Sequence, residues 1–278
     1  MIIDVHCHAW PDRIAERALG PRVPQLPRVG DGKISTLPGV LERSGVDRGV
    51  LLGIADSARY VDGTNRFVAS SRGGSLLGFG TVHPDLPVEE NLASLRRNGI
   101  PGVKLHSLFQ GFAYSDPRVW DLLEAFGSEI AVIAHVGRGG DAESNERATP
   151  GMVRDIVRRF PDLRLIACHF GGYHRLEEAE EELLGLPVFL ETSWPPTMAE
   201  LAPERVRSII DRHGADRIVF GSDWPMADPA REIAAIRALG YDEETTAGIL
   251  GGNFARLMGL SDGEPLPGPS VPEETARG

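Results

Sequence analysis

The sequence predicts an α/β protein, a single-domain (β/α)8 TIM barrel, on three observations. Short apolar, β-branched runs recur eight times along 278 residues. Amphipathic stretches of helical length separate them, as parallel βα units require. No run is followed by the G-x-G-x-x-G turn that marks the rival architecture, an open doubly wound sheet with a dinucleotide site. The length agrees, since one such barrel commonly takes about 250 residues.

The runs, in order, are IIDV (2–5), GVLLGI (49–54), LLGFGTV (76–82), IPGVKL (100–105), EIAVIA (129–134), LRLIAC (163–168), PVFLE (187–191) and RIVFG (217–221). Helices are expected over 88–98, 116–127, 151–160, 173–184, 199–213 and 229–239, several entered through Asp, Ser or Pro as first-turn and cap residues. Residues 10–35 are rich in Pro, Arg and Gly with little periodicity, so a long loop over one mouth of the barrel is expected there. The barrel domain is assigned to 1–260. The segment 261–278, containing LPGPSVPEETARG, is polar and rich in Pro and Gly, and a disordered tail is expected.

Composition narrows the function classes. A hydrophobic share of 41% describes a soluble chain able to bury a large core. A formal net charge of −11 argues against nucleic acid, whose binders concentrate Lys and Arg on one face. Two cysteines, Cys7 and Cys168, cannot build a disulfide framework and suit a reducing cytoplasm. No apolar stretch is long enough for a bilayer, and the N-terminus does not read as a signal peptide. The expectation is a cytoplasmic protein with a small-molecule substrate and no nucleic-acid or membrane partner, which leaves room for a homodimer.

The chemistry is concentrated at strand ends. In DVHCH, His6 and His8 are two apart and share a face of a strand while Cys7 points away. Such a pair can grip one metal ion or be a surface accident. Barrels collect functional side chains at the C-terminal ends of their strands, and there also lie Lys104 and His106 (GVKLHS), His135 (VIAHVG), His169 (LIACHFGG), Glu191 (FLETSW) and Asp223 (FGSDWP). Five of the eight histidines, 6, 8, 106, 135 and 169, occupy these positions. One converging site explains them together better than separate roles in core packing. Asp223 could instead cap the turn that follows it, and Glu191 reads equally as a partner of a ligand or as a buried structural carboxylate. His83, His174 and His213 read as structural or surface residues, and LEEAEEELL (176–184) as the solvated face of a helix.

The motifs DVHCH, AHVG, CHFGG, GSDWP and the late helix GGNFARLMGL occur in the order found in the amidohydrolase superfamily. The chain resembles in particular its amidohydrolase-related group, which includes the aminocarboxymuconate-semialdehyde decarboxylase-like enzymes. The resemblance implies that His6, His8, His135 and Asp223 hold one divalent metal and that His169 is a catalytic histidine beside it. Three imidazoles and a carboxylate suit Zn²⁺, and Mn²⁺, Fe²⁺ or Co²⁺ tolerate the same shell. Asp223 would shuttle the proton of an activated water, while His169 would hydrogen-bond that water or the developing charge. Some branches carboxylate a lysine on strand four and bridge two metals with it, but the branch resembled here uses one metal. Lys104 and His106 share strand parity, and both are assigned to binding an anionic group of the substrate.

Rival families with a His-x-His opening fit less well. PHP phosphoesterases gather more histidines and lack GSDWP, and TatD-like nucleases carry a Glu on strand four where this chain has GVKLH. The expected activity is a metal-dependent hydrolase acting on an ester, lactone or amide bond of a small anionic molecule. The alternative is a metal-dependent nonoxidative decarboxylase, which needs the same shell. A barrel that keeps its metal without turnover is the rival outside enzymes, and every expected chemical position is occupied.

Overall fold

A computed structural model of the chain describes residues 1–20 and 28–261. Eight parallel strands alternate with helices: β1 Ile3–Cys7, β2 Arg48–Leu52, β3 Leu76–Phe79, β4 Gly102–Leu105, β5 Ala131–Ala134, β6 Leu165–Ala167, β7 Phe189–Glu191 and β8 Ile218–Val219. Each falls within, or overlaps, one of the eight apolar runs. The strands pair in the ladders β1-β2-β3 and β4 to β8, and two short seams join these into a closed barrel. At one, Gly80 N and O bond Gly102 O and Lys104 N at 2.9 and 2.8 Å. At the other, Val5 N reaches Phe220 O at 3.0 Å and His8 N reaches Trp224 O at 2.7 Å.

The six expected helices form as Val88–Arg97, Pro117–Phe126, Pro150–Arg159, Leu176–Glu182, Pro203–His213 and Pro229–Ala238. Caps fix several entries: Asp116, Thr149 and Asp228 accept the amides of Arg118, Met152 and Ala230, each just before a Pro at the first turn. The stretch 10–35 corrects the expectation of a loop, because Asp12–Leu19 is a helix that buries Ala15 and Leu19. Helices Leu37–Arg43 and Val61–Ser71 were likewise not anticipated. Residues 262–278, expected as a disordered tail, lie outside the described residues. Among the described residues no helix is long and apolar enough to cross a membrane.

Strand parity divides the core in two. Val50, Leu52, Leu77, Phe79, Ala131, Ile133, Ile166, Cys168 and Val219 fill the barrel interior, while the intervening Leu51, Leu76, Val132, Leu165 and Ala167 pack outward against the helices. Phe254 and Met258 of the helix Asn253–Met258 join the interior cluster. Asn253 ties this helix to β8, its Nδ2 donating to Ala215 O and Ile218 O at 2.7 Å each. Asn253→Ala leaves both carbonyls without that donor and should cost about 1–3 kcal/mol. Urea unfolding should show a lower midpoint at an unchanged slope.

Candidate metal centre

Interior parity delivers most of the site. On β4 the outward residues are Val103 and Leu105, so Lys104 and His106 turn inward. On β5 the inward series 131, 133 continues to His135. On β7 Leu190 packs outward, which turns Glu191 in. Two strands need a local device. The inward residue of β6 is Cys168, and His169 enters the site because its backbone takes a left-handed turn, φ 61°. Asp223 does the same after β8 with φ 63°. Side chains other than glycine rarely hold this conformation, and where they do it concentrates at functional sites.

β1 uses a register slip. Asp4 pairs with Gly49 and Cys7 with Leu51, so three residues advance against two, an irregularity of the β-bulge kind. Ile3 and Val5 therefore join the interior cluster while Cys7 packs outside it, and His6 and His8 both turn to the mouth.

One cavity, about 730 Å³ with the solvent space at its mouth included, is lined by His6, His8, His106, His135, His169 and Asp223 at its polar end. Its apolar lining includes Trp10, Leu19, Phe109 and Met226, and Arg138 brings a cation to it. Lys104 does not reach this cavity. It is fully buried, with Nζ 3.1 Å from His6 Nε2 and 3.1 Å from Cys168 Sγ, whereas His106 stands in the wall, stacked between Phe109 and His135.

His6 Nε2, His8 Nε2 and Asp223 Oδ1 form a triangle with sides of 3.1, 3.3 and 3.4 Å. A tetrahedral ion with bonds of about 2.0–2.1 Å holds its donors about 3.3–3.4 Å apart. The donor set and its spacing therefore fit a divalent cation. A second group with metal-ligand spacing, His6, His169 and Glu191, is already occupied by protein: Ser193 Oγ sits 2.8 Å from Glu191 Oε2 and 2.9 Å from His169 Nδ1. Glu191 Oε2 instead accepts from His6 Nδ1 at 3.1 Å, which fixes the proton there and leaves Nε2 unprotonated on the triangle, where Lys104 Nζ also approaches it at 3.1 Å. His135 stands apart from the triangle, with Nδ1 3.0 Å from His169 Nε2 and Nε2 3.2 Å from Arg138 O.

Burial first, then neighbouring positive charge, keeps the imidazoles neutral: His6, His8 and His169 lie well below their ordinary range and His135 is pushed down to about 3. Neutral imidazole is the form that ligates a metal. Burial raises Asp223 well above the carboxylate range, with Glu191 and Asp4 adding to the rise and Lys104 opposing it.

A family profile described as Amidohydrolase matches residues 3–260. The chain belongs to the amidohydrolase family. It is thus a member of an enzyme superfamily that contains hydrolases and decarboxylases. No curated protein matches it, but solved structures share its fold. The 5-carboxyvanillate decarboxylase of Sphingomonas paucimobilis is 16% identical, with 94% of this chain and 99% of that one covered and a TM-score of 0.68. A protein of Pseudomonas putida assigned as 2-pyrone-4,6-dicarboxylic acid hydrolase is 20% identical over 94% and 98%, with a TM-score of 0.64. The dihydroxybenzoic acid decarboxylase of Polaromonas sp. JS666, solved with manganese and 2-nitroresorcinol, is 15% identical over 93% and 97%, with a TM-score of 0.69.

The sequence reading left Glu191 undecided and did not single out Ser193, whose hydroxyl lies within 3.3 Å of His6 Nδ1 as well as near His169 and Glu191. Ser193 shares the inward parity of Glu191, a signal that FLETS carries. Gly221 is a further contributor: a Cβ there would lie 2.3 Å from Glu191 Oε1 and 2.8 Å from His6 Cβ. Gly221→Ala should destabilise the fold by about 1–3 kcal/mol through overpacking. Thermal unfolding would show the loss, and a crystal structure of the variant should show the Glu191–His6 contact displaced.

Proposed function

We propose that the protein is a metal-dependent hydrolase acting on an ester, lactone or amide bond of a small anionic molecule. The observation that carries this reading is the triangle of His6 Nε2, His8 Nε2 and Asp223 Oδ1 at the floor of the cavity. These three would hold the ion, and His135, on the same cavity, would supply a fourth donor once its ring turns from His169. Zn²⁺ suits two or three imidazoles with a carboxylate, and Mn²⁺ suits the shell as well, as the manganese-containing neighbour illustrates. When bound, the ion acidifies a water and polarises the scissile carbonyl.

The protein's own groups do the rest. Asp223 turns Oδ1 to the two imidazoles, leaving Oδ2 to take a proton and return it to the leaving group. His169 is held through Nδ1 by Ser193, and on taking a proton at Nε2 it would donate a hydrogen bond to charge that develops on the substrate oxygen. His106 and Arg138 on the lining favour a negatively charged substrate. The apolar lining excludes water from the other faces of a bound molecule.

Decarboxylation is the second reading, and the decarboxylases among the structural neighbours favour it. Turnover by the metal-loaded protein on a panel of lactones, amides and aromatic carboxylates separates the two. Acid formation from a lactone or amide supports hydrolysis, and release of CO₂ with no hydrolysis of the panel overturns it.

Asp223→Asn should abolish turnover while metal content falls only in part, since the imidazoles remain. His169→Asn should keep the metal and lower the rate about 10²–10⁴-fold. Metal content and activity are read in the same preparations. Loss of the ion from His169→Asn would make His169 a ligand, and near-normal turnover in Asp223→Asn would remove the proton shuttle.

A further inference from the structure

The three donors of the triangle come from two strands that meet at a seam of few backbone bonds. Across that seam lies a buried carboxylate to which the proposed chemistry gives no task. Asp4 Oδ1 accepts the amide of His6 at 3.0 Å and the amide of Ser222 at 2.9 Å. Its Oδ2 accepts the Ser222 hydroxyl at 2.6 Å, and Ser222 Oγ in turn accepts the amide of Trp224 at 3.0 Å. Asp4 and Ser222 are both fully buried. One side chain thus reaches the backbone of His6 on β1 and, directly or through Ser222, the residues on both sides of Asp223.

The arrangement matches two local demands. His6 stands at the register slip of β1, where a regular ladder cannot fix its direction. Asp223 stands in a left-handed conformation, which persists only where the surroundings over-determine it. Fixing Ser222 N and Trp224 N clamps Asp223 from either side, and fixing His6 N sets the imidazole against it.

We infer that Asp4 is a positioning residue for the metal centre, holding His6 and Asp223 at ligand spacing across the β1–β8 seam. The inference rests on the proposed metal site. It predicts that metal affinity depends on the acceptor oxygen of residue 4 and not on its charge. Asp4→Asn keeps Oδ1 for both amides and can donate from Nδ2 to Ser222 Oγ. Asp4→Ala keeps neither contact. Ser222→Ala leaves the two amide bonds to Asp4 and removes only the bridge to Trp224.

The test is the affinity for Zn²⁺ of wild type and the three variants, by competition with a chromophoric chelator, on preparations shown to be folded by circular dichroism. Asp4→Ala should weaken binding about 10–100-fold, the usual effect of losing a partner behind a ligand. Ser222→Ala should weaken it less, and Asp4→Asn should recover most of the loss. A merely structural role would lower the unfolding midpoint of Asp4→Ala and leave the Zn²⁺ affinity of the folded protein unchanged, and that result overturns the inference. So does an Asp4→Asn variant as weak as Asp4→Ala. Should Asp4→Ala not fold, Ser222→Ala decides, and wild-type affinity there overturns the inference. A wild-type protein that binds no Zn²⁺ overturns the metal site and this inference together, whereas tight wild-type binding matched by every variant overturns this inference alone.

Discussion

The closure of the barrel between β1 and β8 is the constraint on which the rest depends. Only after closure do His6 and His8, near the start of the chain, stand within 3.4 Å of Asp223 near its end. The seam is short: β8 is the two-residue strand Ile218–Val219, and pairing continues past it through single bonds to Phe220 and Trp224. A short strand lets the backbone leave regular geometry at once, and Asp223 uses that freedom to turn inward. The helix Asn253–Met258 compensates from below, since Asn253 holds the carbonyl of Ile218 and Phe254 enters the interior cluster.

Buried charge is the other side of this architecture. Asp4, Lys104 and Glu191 are fully buried, and an isolated ion in such surroundings is strongly disfavoured. Each is held differently. Asp4 is surrounded by donors, yet burial outweighs them and pushes its carboxyl up to about 6. Glu191 collects His6 Nδ1, Ser193 Oγ and the amides of Ser193 and His169. Lys104 makes no ion pair within 4 Å among the described residues and rests on an imidazole and a thiol.

Much of this was legible in the sequence because period-two alternation is a strong signal. The runs from GVLLGI to RIVFG each correspond to a strand, and parity alone turns Lys104, His106, His135 and Glu191 inward. Parity did not reveal which of them reach the cavity. Lys104 and His106 are equivalent by that rule, but Lys104 is one layer deeper and closed off by His6. The helix Asp12–Leu19 escaped because it is two turns long and runs into a Pro-rich stretch of sequence, although Ile14, Ala15, Ala18 and Leu19 do recur at helical spacing. The β1 slip was not legible either. Unbroken alternation would have set His6 and His8 against Ile3 and Val5, and only the pairing with β2 shows that both sets turn into the barrel.

His169 and Asp223 show why the motifs matter more than the periodicity where chemistry is concentrated. In CHFGG the residue with inward parity is the cysteine, so period two would have placed the thiol in the site and the histidine outside it. The left-handed turn at His169 reverses that, and the glycines that follow make it feasible: Gly171, with φ 80°, has no room for a Cβ beside Leu183. In GSDWP the serine before the left-handed Asp223 anchors it to Asp4. Both motifs therefore encode a departure from regular strand geometry together with the neighbours that stabilise the departure. A local propensity reading sees Gly, Ser and Pro there and infers a turn, which is correct but incomplete. The turn exists to re-aim one side chain, and its direction is set by contacts more than 200 residues away in sequence, such as Ser222 with Asp4.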